Sequence, residues 1–121
     1  MGHNRICEKV IEFILTRKNG DLAALSEAGI VSLFDVDDSC LAGKFKLRQN
    51  MTLDQFILRE RLYRAFFMIE QNHQLSGRQL AEQLGFNTAE TFCREFKNLF
   101  LVSPDRYMHL RREIENTCFN V

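Results

Sequence analysis

Residues 76–100 read SGRQLAEQLGFNTAETFCREFKNLF, and this stretch decides the fold. Ser76 and Gln79 have capping-box spacing, in which each side chain takes the other residue's backbone N–H. Leu80, Ala81 and Leu84 follow at helical periodicity. Gly85 stops that short helix at a point where the chain needs a positive φ. Asn87 and Glu90 repeat the capping spacing. A second helix is expected from about Thr88 to Leu99, with Phe92, Phe96 and Phe100 on its inner side.

Short helix, tight turn and longer helix form a helix-turn-helix, the layout that places its second helix in a DNA major groove. One copy is a weak signal, because many helical proteins contain such pairs. Residues 26–49 repeat it. Val31 stands in the place of Ala81, Asp35 in that of Gly85, Val36 in that of Phe86, and Phe45-Lys46 in that of Phe96-Lys97, at an offset of 50 or 51 residues. An internal repeat is far more specific than a single copy. Asp35 suits the turn because aspartate visits positive φ more readily than most residues. Ser26 and Asp37 are the expected N-caps of the two short helices, which bury Ile30, Val31 and Phe34, then Leu41 and Phe45.

Between the repeats, Asn50-Met51 is a break and Thr52 to Gln55 is another capping box. A helix then runs to about Asn72, with apolar positions Phe56, Ile57, Leu62, Ala65, Phe66 and Ile69. About 20 residues at ~1.5 Å each give roughly 30 Å. Successive major grooves on one face of DNA are ~34 Å apart. A rigid linker would therefore suit two heads on adjacent grooves; the alternative is the spine of a helical bundle. Upstream, Ile6, Val10, Phe13 and Ile14 make one amphipathic face, which Asn19-Gly20-Asp21 is expected to end. Leu22 to Leu25 fits a short helical turn or a packed loop. Downstream, Ser103-Pro104 starts a last helix carrying Tyr107 and Leu110 that fades near Glu115. The expectation is an all-α chain of about seven helices without strands. It divides into a first helix-turn-helix subdomain at 5–50, a linker helix at 52–72 and a second subdomain at 75–115.

The composition fits a globular chain: 121 residues, 45% apolar and 26% charged. Lys+Arg and Asp+Glu number 16 each, for a net charge of zero. Residues 1–50 hold 7 basic and 7 acidic side chains, and the remainder 9 and 9. The basic excess usual in nucleic-acid binding is absent, so any basic surface must come from arrangement. Cysteines 7, 40, 93 and 118 lack C-x-x-C spacing and read as buried or half-buried reduced thiols, not zinc ligands or disulfides. No nucleophile–base pair, phosphate-cradling glycine loop or metal cluster is spelled out, so no enzyme, cofactor or metal site is expected. No leader-like apolar segment or ~20-residue apolar run occurs, which predicts a soluble cytoplasmic protein without a membrane partner.

Three runs carry a resemblance to a known family. They are Leu80-Ala81-x-x-Leu84-Gly85-Phe86, then Phe92-x-Arg94-x-Phe96-Lys97, then Val102-Ser103-Pro104-x-x-Tyr107. Together they resemble the C-terminal signature of AraC/XylS transcription regulators. Phe56 through Arg61-Leu62-x-x-Ala65 is similar to that family's linker helix. The resemblance spans about residues 6–113, specific in the second half and weaker in the first. It implies a monomeric, two-headed domain that binds double-stranded DNA and activates transcription, often by touching RNA polymerase. Many members also carry an N-terminal sensing or dimerisation domain.

On the second head the outward positions would be Ala89, Glu90, Cys93, Arg94 and Lys97, with Thr91 at the edge. Arg94 is the expected base reader, since a guanidinium makes two bonds to guanine O6 and N7; the alternative is a phosphate contact or a surface ion pair. Thr91 and Cys93 would meet a thymine methyl or a phosphate, although Cys93 also suits a small filler role. Glu90 would accept from cytosine N4 or serve the cap. Thr88 and Lys97 suit phosphates. On the first head the matching positions hold Asp38, Ser39, Ala42 and Gly43, with Gly43 standing where Arg94 stands. Ser39, Lys44, Lys46 and Arg48 remain to hold the backbone, so this head reads as weak or degenerate. Arg61 would brace the heads or meet a phosphate. The leading reading is sequence-specific DNA binding. The second is a protein-interaction module of the same fold, favoured by the zero net charge and the poor first head.

Overall fold

The computed structural model describes residues 2–72 and 74–119, with side chains for 5–72 and 74–117. The described residues form eight helices and no strand: α1 (Gly2–Leu15), α2 (Asn19–Ala23), α3 (Glu27–Phe34), α4 (Asp38–Gln49), α5 (Leu53–Gln71), α6 (Gly77–Leu84), α7 (Ala89–Phe100) and α8 (Pro104–Phe119). They fall into two compact units that divide between Glu60 and Arg61, inside α5. The linker is thus shared: its first turns belong to one unit and its last turns to the other. No described helix is long and apolar enough to cross a membrane.

In the first unit, Cys7, Val10 and Ile14 of α1, Leu22, Ile30, Leu41, Phe45, and Leu53, Phe56 and Ile57 of α5 form one buried cluster. Edge-on ring pairs, Phe45–Phe56 inside it and Phe13–Phe34 beside it, are each 5.5 Å between centroids. Ser26 caps α3 by accepting from the Gly29 N–H, and Asp37 caps α4 by accepting from that of Cys40. The Asp54 carboxylate, on α5, also accepts from the Glu27 N–H at the start of α3 (3.1 Å). Thr52 and Gln55 make both bonds of the expected capping box ahead of α5.

Two expectations change here. Asn19-Gly20-Asp21 does not end α1. That helix stops at Leu15, where the Thr16 hydroxyl and the Arg17 Nε take the Glu12 and Phe13 carbonyls. Asn19 instead opens α2, the helix beyond the expected seven. Leu22, wholly buried, anchors it, and burial outweighs the turn preference of the Asn-Gly pair. The thiols also differ from expectation. Cys7 is buried and Cys93 half-buried, but Cys40 is exposed, while the Cys118 side chain lies outside the described residues.

In the second unit, Leu62, Ala65 and Ile69 of α5 are buried with Leu80, Ala81, Leu84, Phe92, Phe96 and Met108. A chain of tilted and edge-on ring contacts runs Phe86–Phe92–Phe96–Phe100–Phe66–Tyr107, with centroids 4.6–5.7 Å apart. Such pairs add ~0.5–1.5 kcal/mol each beyond the area they bury. The Tyr107 hydroxyl donates to the Glu70 Oε1, and Arg111 pairs with the Glu70 Oε2 at 3.1 Å, joining α5 to α8.

Candidate nucleic-acid interface

The helix-turn-helix of the second unit is α6 and α7. Ser76 and Gln79 form the full capping box, and Gly85 closes α6 at φ 82°. The Phe86 N–H reaches back to the Ala81 carbonyl (2.9 Å), which turns the chain sharply into α7. The N-cap of α7 is Thr88, not Asn87. Thr88 is extended (φ −140°, ψ 156°), and its hydroxyl accepts from the Thr91 N–H (3.0 Å) and donates to the Thr91 hydroxyl. Thr88, three residues past Gly85, is in the extended conformation an N-cap needs, so it takes the role.

Phe92 and Phe96 turn the inner side of α7 into the core. Glu90, Arg94 and Lys97, at spacings of four and three, therefore share the opposite side, and all three are exposed. The Arg94 side chain is 66% exposed and pairs with the neighbouring Glu95 at 3.8 Å. An exposed pair of that kind holds a guanidinium weakly. Ala89, Thr91 and Cys93 are half-buried on the flanks. Cys93 leans toward the start of α6: a Cβ placed on Gly77 would lie 3.6 Å from its sulfur. Burial first, and then the Asp105 carboxylate, push its thiol pKa up, which keeps it protonated and inert.

A groove of about 440 Å³ runs along this unit, lined by Arg78, Ala81, Glu82, Phe86, Asn87, Thr88 and Ala89. Arg78, 85% exposed and 3.6 Å from Glu82, is a cation that the motif reading left out. Its signal in the sequence is its place in the first turn behind the Ser76 cap, a turn whose inner side is already filled by Gly77 and Leu80.

In the first unit the equivalent helices are α3 and α4. Ser39, Gly43 and Lys46 share an exposed side of α4. Lys44 and Arg48 lie on its flank beside α1: Arg48 is 3.9 Å from Glu8, and both cations act on the buried Cys7 thiol, whose pKa burial nonetheless pushes up. Of the three expected cations, Lys46 alone joins Ser39. Arg61 is half-buried on α5. Among the described residues no three His, Cys, Asp or Glu side chains group as metal ligands would.

A family model described as a helix-turn-helix domain matches residues 32–110. The Msm operon regulatory protein of Streptococcus mutans is 30% identical over 87 residues, covering 72% of this chain and 30% of that protein. A response regulatory protein of Staphylococcus epidermidis is 26% identical over 78 residues, covering 64% of this chain and 30% of that protein. The chain thus spans about 30% of the length of these relatives. The fold matches the C-terminal domain of AraT, a response regulator from Geobacillus stearothermophilus (TM-score 0.76, 19% identity, covering 87% of this chain and 84% of that one). It also matches the C-terminal domain of the two-component response regulator yesN from Fusobacterium nucleatum (TM-score 0.70, 21% identity, covering 84% and 96%). A DNA-binding transcriptional dual regulator from Escherichia coli K-12 is similar as well (TM-score 0.68, 22% identity, 92% of each chain). With the paired helix-turn-helix units, their left-handed turns and the Ser103-Pro104-x-x-Tyr107 run all in place, the chain belongs to the AraC/XylS-type helix-turn-helix family.

Proposed function

We propose that this chain is the DNA-binding domain of a transcription regulator and that α7 is the helix that enters the major groove. The observation that carries the reading is the exposed stripe Glu90–Arg94–Lys97 on a helix capped by Thr88 and seated by Phe92 and Phe96. Arg94 makes the bidentate contact to guanine, and Glu90 accepts from cytosine N4. Thr88, Lys97 and Arg78 hold phosphates on either side. Thr91, on one flank, meets a thymine methyl; Ala89 and Cys93 lie on the other, where the Cys93 sulfur fills space beside Gly77. In the first unit Ser39 and Lys46, with Arg61 of the second, serve the backbone, while Lys44 and Arg48 are turned toward α1. Regulation of transcription is the role the relatives' names carry; a monomeric state and a contact with RNA polymerase are what the family resemblance implies.

The test is retention on duplex DNA at low ionic strength and release by salt, since phosphate contacts are strongest there. Arg94→Ala is expected to cost about 1–3 kcal/mol on a preferred site and to relax one base position. Lys97→Ala is expected to weaken all sequences alike and to reduce the salt slope by about one. Arg94→Ala binding that matches wild type on every sequence sinks the assignment of α7. Zero net charge favours a second reading, a protein-interaction module; absence of retention at low salt would select it.

A further inference from the structure

The two helix-turn-helix units are built to one plan. Helices α3 and α6 both have 8 residues, and α4 and α7 both have 12. Asp35 (φ 51°) and Gly85 (φ 82°) close the short helices in the left-handed region. The same backbone bond follows each: Val36 N–H to the Val31 carbonyl at 3.3 Å, Phe86 N–H to the Ala81 carbonyl at 2.9 Å. Asp37 and Thr88 cap the long helices through the N–H three residues on. Asn50 and Leu101 end them, donating to the Lys46 and Lys97 carbonyls at 2.8 Å. An offset of 51 residues along α4 and α7 is therefore an equivalence of position within each unit, not only an alignment.

At those equivalent positions the chemistry differs. Arg94 is matched by Gly43, where an added Cβ would meet nothing within 4 Å. The position faces solvent, so the missing side chain is not displaced by packing. Ala89 is matched by Asp38, exposed in the first turn of α4. Arg78, at the offset of 50 that relates α3 and α6, is matched by Ala28. Asn98 is matched by Leu47, which is 87% exposed. The carboxylates of Glu27, Asp38 and Asp54 converge at the start of α3 and α4: burial, then Asp54 and Asp38, raise the Glu27 pKa. Lys46, the match of Lys97, remains on the outward side.

We infer that base sequence is read by the second unit alone, and that Gly43 and Asp38 are the two residues that withdraw reading from the first. The inference rests on the DNA-binding reading above. Gly43 removes the long donor that a groove-reading helix needs at that position. Asp38 sets a negative charge where the helix entrance would approach phosphate, a repulsion that salt weakens. The first unit is left with backbone contact through Lys46.

The experiment uses the whole chain and a pool of random-sequence duplex DNA, with the fragments retained at low salt sequenced. One short motif is expected, with one guanine position relaxed in Arg94→Ala. Asp38→Asn is expected to raise affinity about fivefold at low salt and less at high salt. Gly43→Arg combined with Asp38→Asn is expected to add a second motif preferring guanine about tenfold, while Gly43→Ala with Asp38→Asn adds none. Circular dichroism checks that each variant keeps its helices. Two motifs with the wild-type chain overturn the inference, as does a double variant that stays with one. No retention of any duplex overturns the DNA-binding reading itself.

Discussion

Leu101 is a leucine in the left-handed region (φ 65°) with 86% of its surface exposed. Such a residue costs roughly 1–2 kcal/mol more than glycine there. It is held because its N–H closes α7 on the Lys97 carbonyl. Its repeat partner is Asn50, which tolerates the conformation better. Leu101→Gly is expected to raise stability by up to about 1 kcal/mol, strain relief being offset in part by the looser unfolded chain. The urea midpoint measures it; a fall would mean that the leucine side chain has a packing partner. The contrasting position is Gly85 at φ 82°, where alanine is expected to cost about 1 kcal/mol or more.

At the scale of elements, the caps set where helices begin, and each is local. Ser76 and Gln79 satisfy two otherwise orphaned N–H groups of α6, at 3.1 and 2.9 Å. Ser76→Ala is expected to cost about 1 kcal/mol in chemical denaturation, and Ser76→Asp to recover most of it. A Ser76→Ala variant as stable as the wild type would show that the Ser76 cap contributes nothing. In α3 the position matching Gln79 is Gly29, so the reciprocal half of the box is gone. Asp54 reaches across from α5 to satisfy a different orphan, the Glu27 N–H. The start of α3 is thus held partly by a tertiary bond where that of α6 is held locally.

At the scale of the whole molecule, the stability profile carries a signature of the Tyr107–Glu70–Arg111 network. Burial first, then the hydrogen bond to Glu70, push the Tyr107 pKa up to about 12. A raised acid pKa means that the folded state prefers the protonated phenol. Its stabilising contribution is complete below the unfolded value of about 10 and is lost as pH rises through about 12. Unfolding free energy should therefore fall over that window more steeply in the wild type than in Tyr107→Phe. Only two tyrosines are present, so the late-titrating phenolate should be visible by ultraviolet absorbance and vanish in that variant. Identical pH profiles for the two proteins would remove the network from the stability account.

What is local or periodic could be read from the residues alone. The left-handed turns at Asp35 and Gly85, the caps at Ser26, Asp37, Thr52 and Ser76, and the buried faces carrying Leu41, Phe45, Phe92 and Phe96 were legible because each depends on residues within one or two helical turns. The stripe Glu90–Arg94–Lys97 follows from the same periodicity, since the phenylalanines leave it one side of α7. Tertiary structure decided the rest. Asn19-Gly20 became the start of α2 because Leu22 finds a core to enter. Lys44 and Arg48 face α1, and Cys93 leans on Gly77, because helix packing chooses among positions that the sequence leaves equivalent. Glu70, Tyr107 and Arg111 meet across 37 residues or more, a distance that no periodicity encodes and that only the packing of α8 against α5 closes.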